Sequence, residues 1–232
     1  MQYLRKVEST NDYLKEHIKE FEDFECLFTM NQTSGKGRSG HTWESEPNKN
    51  IAFSILITDD KITKKFNLVS ILMSLVVAGY LELLGAENVK IKWPNDVYVN
   101  DKKICGILCE GSLPKYMIIG VGINVNQEFF GELQATSIIN ELGFELDPKL
   151  VVVDVVDSFK YRINELGDDL GNLVEEYCQK DYLLNKTISF TLNGENHEGI
   201  AKGIDFDGSL KVLYNNELIN ISSNEVNLVR KQ

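Results

Sequence analysis

Val89-Lys-Ile-Lys-Trp93, Val97-Tyr-Val99, Lys103-Ile-Cys-Gly-Ile-Leu-Cys109 and Tyr116-Met-Ile-Ile-Gly-Val-Gly-Ile-Asn-Val125 follow one another with only short connections between them. Each run is rich in β-branched residues, and the connections are hairpin-sized turns such as Asn100-Asp101, so the stretch predicts four consecutive strands. Runs of strands with helices segregated between them point to an α+β fold rather than a doubly wound parallel sheet.

Working outward, Ser9-Thr10-Asn11-Asp12 is a cluster of good N-caps, after which Tyr13, Leu14, Ile18 and Phe21 recur at helical spacing. Cys26–Met30 and Ile51–Ile57 read as strands, and the glycine-rich stretch Gly35-Lys-Gly-Arg-Ser-Gly-His-Thr-Trp43 reads as a loop between them. Residues 66–84 are apolar almost all round. This suits a helix buried against a sheet, and the run is too broken by polar residues for a membrane span. Helices are expected near 148–166 and 169–180. From Lys186 to Val229 the pattern returns to short strands, with turns at Asn193-Gly194, Asp207-Gly208 and Asn215-Asn216. The expected division is a unit over 1–184 and a small β module over 185–232, with no internal repeat.

The chain has 232 residues, 43% of them hydrophobic, enough for one large domain or a domain plus a small module. A formal net charge of -11 argues against general affinity for nucleic acid or anionic membrane, so any anion site must be local. The N-terminus turns polar within a few residues, unlike a signal peptide, and the chain reads as soluble and cytoplasmic. Cys26, Cys105, Cys109 and Cys178 show no CxxC spacing and read as reduced structural thiols.

Gly35-x-Gly37-x-x-Gly40 satisfies GxGxxG, but a dinucleotide site needs those glycines to open a helix, and a Pro-containing loop and a strand follow here. No HRD or DFG supports a kinase. As a P-loop the stretch has His41 where the phosphate-reaching lysine belongs, and again no helix follows. An anion cradle survives: glycines let backbone N–H groups approach an anion, with Lys36 and Arg38 between them. The alternative is a surface loop with incidental charges.

Taken together, Ser9-Thr10-Asn11, Gln32, Gly35 to Trp43, Lys92-Trp-Pro-Asn-Asp96, Lys103 before Gly106-Ile-Leu108, and Gly120-Val-Gly-Ile-Asn124 resemble the biotin protein ligases, in the order of that family's motifs. The likeness covers nearly the whole chain, since the family ends in a small SH3-like β domain. It implies a central mixed, largely antiparallel sheet with helices packed on it, of the class II aminoacyl-tRNA synthetase-like type. It also implies an ATP-dependent, AMP-forming ligase. Biotin and ATP, with Mg²⁺, would form biotinyl-5'-AMP and pyrophosphate, after which a lysine of a biotin carboxyl carrier protein or domain attacks.

By that resemblance, Ser9, Thr10, Asn11 and Gln32 would bond the polar end of biotin. Gly35, Lys36, Gly37, Arg38, Gly106, Leu108, Gly120 and Gly122 would line its slot, the missing side chains letting a flat bicycle lie against the sheet. Lys103 and Arg38 would act at the reacting anions, with Lys103 bridging the biotin carboxyl and the phosphate. Arg38, His41, Trp43, Asn95, Asp96, Lys103, Asn124 and Lys202 would hold the nucleotide, with Trp43 stacking on adenine and Asn124 reading its edge. Asp96 is the candidate metal ligand. Holding a carboxylate against an α-phosphate needs fixed cations, which Lys36, Arg38 and Lys103 would supply.

Two departures stand out: Lys36 and His41 occupy positions where the family usually carries arginine. Lysine lacks the bidentate fork, and a histidine facing a phosphate would make affinity change across neutral pH. Because Ser9-Thr10-Asn11 comes so early, the expected type is the short form without a DNA-reading domain, a monomer or homodimer. The competing readings are a lipoate or octanoate ligase of the same superfamily, whose triple-glycine loop is not present, and a noncatalytic biotin-binding regulator.

Overall fold

In a computed structural model, which describes residues 1–167, 170–192 and 194–222, the hairpin run forms one wing of a larger sheet. In chain order the elements are β1 (Gln2–Tyr3), α1 (Thr10–Glu16), β2 (Cys26–Thr29), β3 (Gly35–Lys36), β4 (Thr42–Trp43) and β5 (Ile51–Ile57). Next come α2 (Asp60–Thr63), α3 (Phe66–Leu83), β6 (Val89–Lys92), β7 (Asp96–Val99), β8 (Lys102–Ser112) and β9 (Tyr116–Ile123). The chain continues with α4 (Ile138–Leu142), α5 (Pro148–Arg162), α6 (Gly171–Lys180), β10 (Thr187–Leu192), β11 (Glu195–Ile204), β12 (Leu210–Tyr214) and β13 (Glu217–Ile221).

The main sheet has the order β1-β2-β5-β9-β8-β7-β6. Only β1 against β2 is parallel; the other neighbours are antiparallel. This is the mixed, largely antiparallel α+β sheet the sequence predicts. Asn100 and Asp101 join β7 to β8 with both φ angles positive, 48° and 63°, as a type I′ turn requires. β5 is buried at every position, which is why its sequence is apolar at all positions but Ser54 instead of alternating. α3 and α5 cover one face, while α1 covers part of the other with a smaller cluster of Leu14, Phe21, Leu27, Leu56 and Ile118. By length and composition α3 could cross a bilayer, yet its residues from Leu68 to Ala78 are all buried in the protein core. Asp147 caps α5 and Pro148 opens it, where a missing N–H costs nothing.

β10 to β13 form a four-stranded antiparallel meander. Its last turn, Asn215-Asn216, again has two positive φ angles. The expected strands beyond Ser222, as far as Val229, and Asn193 of the Asn193-Gly194 turn lie outside the described residues. Phe190, Ala201, Leu210 and Val212 join the same apolar core as the main sheet. Across the junction the Trp93 indole N–H donates to Gly208 O at 3.0 Å. All four cysteines are free thiols, and burial pushes those of Cys26 and Cys109 up to about 12, so neither is poised to react.

Asp181 sits at this junction, bridged to Ile91 of β6. One of its oxygens accepts from Leu183 N at 2.7 Å; the other is buried without a partner among the described residues, as is the Tyr177 hydroxyl. Burial lifts the Asp181 carboxyl to about 6. An unfolded Asp titrates near about 4, so between those values the native chain binds more protons and stability falls as pH rises, then levels off. Asp181→Asn keeps the acceptor for Leu183 and removes the charge. It is expected to stabilise the protein by roughly 1–3 kcal/mol at pH 7.5 and by almost nothing near pH 3.5. Urea unfolding at the two pH values checks this, and an equal gain at both would contradict it.

Candidate functional site

Strand register places Gly120 opposite Leu108 and Ser54, and Gly122 opposite Gly106, on the sheet face that α1 approaches. A Cβ on Gly120 would overlap the Asn11 amide. One on Gly122 would lie 2.5 Å from Cε2 and Nε1 of Trp43, and one on Gly106 3.0 Å from Trp43 Cζ3. The bare positions therefore seat Asn11 and the indole of Trp43. Gly106, Leu108, Gly120 and Gly122 also line the cavity beside those two side chains. Gly35 is bare for a related reason, since a Cβ there would meet Gln32 and the Trp43 backbone.

That cavity has a volume of about 280 Å³. At its uncharged end are Ser9, Thr10, Asn11 and Gln32. The Ser9 hydroxyl accepts from Asp12 N at 3.3 Å, capping α1, while Thr10 N donates to Gln32 Oε1 at 2.9 Å. The Ser54 hydroxyl, fully buried, lies 2.7 Å from Thr10 Oγ1 and 2.6 Å from Asn11 Oδ1. It has one proton. Because an amide oxygen can only accept, Ser54 donates to Asn11, and the Thr10 proton is left for Ser54 or Gln32. Asn11 Nδ2 in turn donates to Glu110 Oε2 at 2.7 Å and Leu108 O at 3.3 Å.

The opposite end is charged, and Arg38, Asp96, Lys103, Asn95 and His41 line it. Lys103 Nζ is 2.7 Å from Asp96 Oδ1 and 5.4 Å from the centre of the Trp43 ring. Burial lowers the pKa of the Arg38 guanidinium against the opposing pull of Asp96, and an arginine stays charged under such a shift. Asn95 is held by Ile107, donating its amide to the Ile107 carbonyl and accepting Ile107 N on its own at 3.0 Å. The Trp43 indole N–H is buried without a partner among the described residues.

β3 and β4 pair Gly35 with Trp43 and Lys36 with Thr42, making the glycine loop a small hairpin flap. It is anchored twice, by Trp43 on the sheet and by Lys36 Nζ, 2.7 Å from Asp12 Oδ2. Burial works to raise the Asp12 carboxyl, but the hydrogen bond and charge of Lys36, with Lys15, outweigh it and hold the group below its usual value. The same hydrogen bond raises Lys36. Lys36 thus joins the flap to α1 and also lines the cavity. Gly37 lines it too.

A larger cavity of about 1040 Å³ adjoins the first and shares Thr42, Trp43, Lys103 and Leu133 with it. Asn124 lines it, donating Nδ2 to Thr136 O at 2.9 Å and keeping its oxygen. Lys202 is not brought to either cavity; its ammonium donates to Asn185 Oδ1 at 2.9 Å. Among the described residues no three His, Cys, Asp or Glu side chains gather as a metal site. Asp96 is the carboxylate lining the smaller cavity, and a lone carboxylate suits a metal carried mainly by phosphates.

Sequence reasoning missed Ser54, Glu110, Asp12 and Leu133. A lone serine inside Ile51-Ala-Phe-Ser-Ile-Leu-Ile57 was the available signal, because a buried hydroxyl needs a partner.

The model of the biotin/lipoate A/B protein ligase family matches residues 3–124, and that of the biotin protein ligase C-terminal domain matches 183–229. The bifunctional ligase/repressor BirA of Escherichia coli (strain K12) is 27% identical over 213 residues, covering 88% of this chain and 66% of that protein. BirA of Bacillus subtilis (strain 168) is 31% identical over 209 residues, covering 85% and 64%. The chain thus spans just under two thirds of the length of these relatives. The biotin protein ligase from Aquifex aeolicus in complex with biotin and ATP superposes with a TM-score of 0.87 at 28% identity, covering 98% of this chain and 97% of that one.

Gly122→Ala tests the seat of the flap. The chain has two tryptophans, and Trp93 is buried away from this position, so a change in emission reports Trp43. The variant is expected to expose Trp43, with stronger acrylamide quenching, at a stability cost of about 1–3 kcal/mol for overpacking. An unchanged spectrum and quenching would contradict this placement.

Proposed function

Because the chain belongs to the biotin/lipoate A/B protein ligase family, we propose that it is a biotin protein ligase. It activates biotin with ATP to biotinyl-5'-AMP and pyrophosphate, then transfers biotin to a lysine of a biotin carboxyl carrier protein or domain. Residues 1–184 form the biotin- and ATP-binding unit, and 185–232 the small β module.

The observation that carries this reading is the polarity of the cavity. One end offers the short hydroxyl and amide groups of Ser9, Thr10, Asn11 and Gln32, with Ser54 behind them; the other offers Arg38 and Lys103. A neutral urea satisfies the first end and a carboxylate the second, as biotin does. Lipoate and octanoate put apolar groups where the first end sits and bring no hydrogen bond to it, so they gain nothing there that a urea would.

Reaction begins with two anions side by side. MgATP would be the nucleotide substrate, its Mg²⁺ supplying neutralisation of the phosphate charge, and Asp96 is the carboxylate that would face it. Lys103 and Arg38 hold the carboxylate against the α-phosphate, offsetting their repulsion and the charge that develops on the phosphorus oxygens. A carboxylate oxygen bonds to the α-phosphorus, the bond to the β-phosphate oxygen breaks, and pyrophosphate leaves with the electron pair. Trp43, stacked beside adenine, and the flap keep water from the mixed anhydride. The acceptor amine then attacks the acyl carbon and releases AMP. Asn95 and Asn124 hold the walls in place, and His41 lines the cavity at its exposed side.

ATP–pyrophosphate exchange with biotin, lipoate or octanoate supplied separately tests the assignment. Exchange is expected with biotin alone; exchange with lipoate but not biotin would overturn it, and none with any acid would favour a binding regulator. Lys103→Ala is expected to lower biotin-dependent exchange by roughly 100-fold or more while the folded structure persists. Wild-type turnover in that variant would remove Lys103 from the site.

A further inference from the structure

We propose that Glu110, held by Lys15, is a positioning residue that sets which way the hydrogen bonds run at the uncharged end of the cavity, and so makes that end complementary to a urea. This rests on the biotin reading given above and adds to it a determinant of specificity that lies behind the cavity wall.

Neither residue lines the smaller cavity. Glu110 stands on β8 and Lys15 on α1, and the Lys15 ammonium donates to Glu110 Oε1 at 2.7 Å, with Asp12 Oδ1 farther off at 3.6 Å. The other carboxylate oxygen, Oε2, accepts from Asn11 Nδ2 at 2.7 Å, and Leu108 O accepts from the same nitrogen at 3.3 Å. A carboxylate and a carbonyl can only accept. The Asn11 amide therefore has one permitted orientation, with its nitrogen toward β8 and its oxygen toward Ser54. The short, charge-assisted bond to Glu110 is the stronger of the two that impose it.

The order passes on from there. The single Ser54 proton goes to Asn11 Oδ1 at 2.6 Å, which leaves the Ser54 oxygen to accept and the Thr10 proton for Ser54 or Gln32. Asn11 and Thr10 line the cavity, and Asn11 Oδ1 lies over Gly120, where an added Cβ would fall 2.3 Å from it. Its second lone pair is an acceptor of the kind a urea N–H needs. With the amide reversed, N–H would meet N–H, and a buried donor on each side would go unpaired.

Lys15 makes the arrangement testable, because an ammonium only donates. Glu110→Gln keeps the shape of the side chain but gives it one acceptor and one donor. Lys15 would draw the acceptor, the donor would face Asn11, and Asn11 would have to reverse, with the Ser54 proton turning to Thr10.

Equilibrium titration of the whole chain with biotin, without nucleotide, tests this in wild type, Glu110→Gln, Lys15→Met and the double variant. Glu110→Gln is expected to raise the biotin Kd roughly tenfold or more, the worth of a hydrogen bond reversed in a desolvated site. Lys15→Met leaves the carboxylate facing Asn11 and is expected to raise the Kd by no more than about threefold. In the double variant the new amide is free to turn its oxygen to Asn11, so most of the wild-type affinity is expected to return. A merely structural role for the pair predicts instead that the two losses multiply. An unchanged Kd in Glu110→Gln, or a double variant that binds no better than Glu110→Gln, would overturn the proposal, while biotin binding by wild type would leave the ligase reading standing. A wild type that does not bind biotin would overturn both.

Discussion

Two positions on one sheet face, Gly120 and Gly122, have no room for a Cβ, Gly106 beside them is tight, and the site depends on that. An added methyl at 120 would displace Asn11, and with it the start of α1; one at 122 would displace Trp43, and with it the flap. Backbone bareness lets a helix and a loop from one end of the chain close onto strands from its middle. The cavity is what remains between them. Its chemistry follows from which chain segments meet there: α1 and β5 bring hydroxyls and amides to one end, while the flap, β7 and β8 bring charges to the other.

The acidic chain handles its cations by pairing them. Lys36 rests on Asp12 and Lys103 on Asp96, each at 2.7 Å and each partly exposed. Pairs of this kind contribute little, about 0–1 kcal/mol, so an arriving anion can draw an ammonium away from its carboxylate at small cost. The arrangement keeps the cations in place while holding the net field of the protein negative. Specific anions are then bound by geometry and not by general attraction.

Legibility in the sequence followed the range of the interaction. The Asn100-Asp101 and Asn215-Asn216 turns, the caps at Ser9 and Asp147, and the order of the strands rest on neighbours in sequence and could be read directly. The glycines could be seen as bare, but what they make room for could not, because Asn11 lies 109 residues from Gly120 in a segment whose docking depends on the whole fold. Ser54 was hidden for the same reason: within an apolar strand nothing local reveals that Thr10 and Asn11 lie across from it. The bond of Lys36 to Asp12 was likewise hidden, because it exists only once the flap is placed over α1.

In the proposed reaction the flap, seated through Trp43 on bare glycines, would enclose biotin and the adenylate together. Amide hydrogen exchange over residues 35–43, with and without biotin and MgATP, tests it most directly. The account predicts a marked gain in protection when both substrates are present, reported most strongly at Gly37 and Arg38. Equal protection with and without them would contradict it.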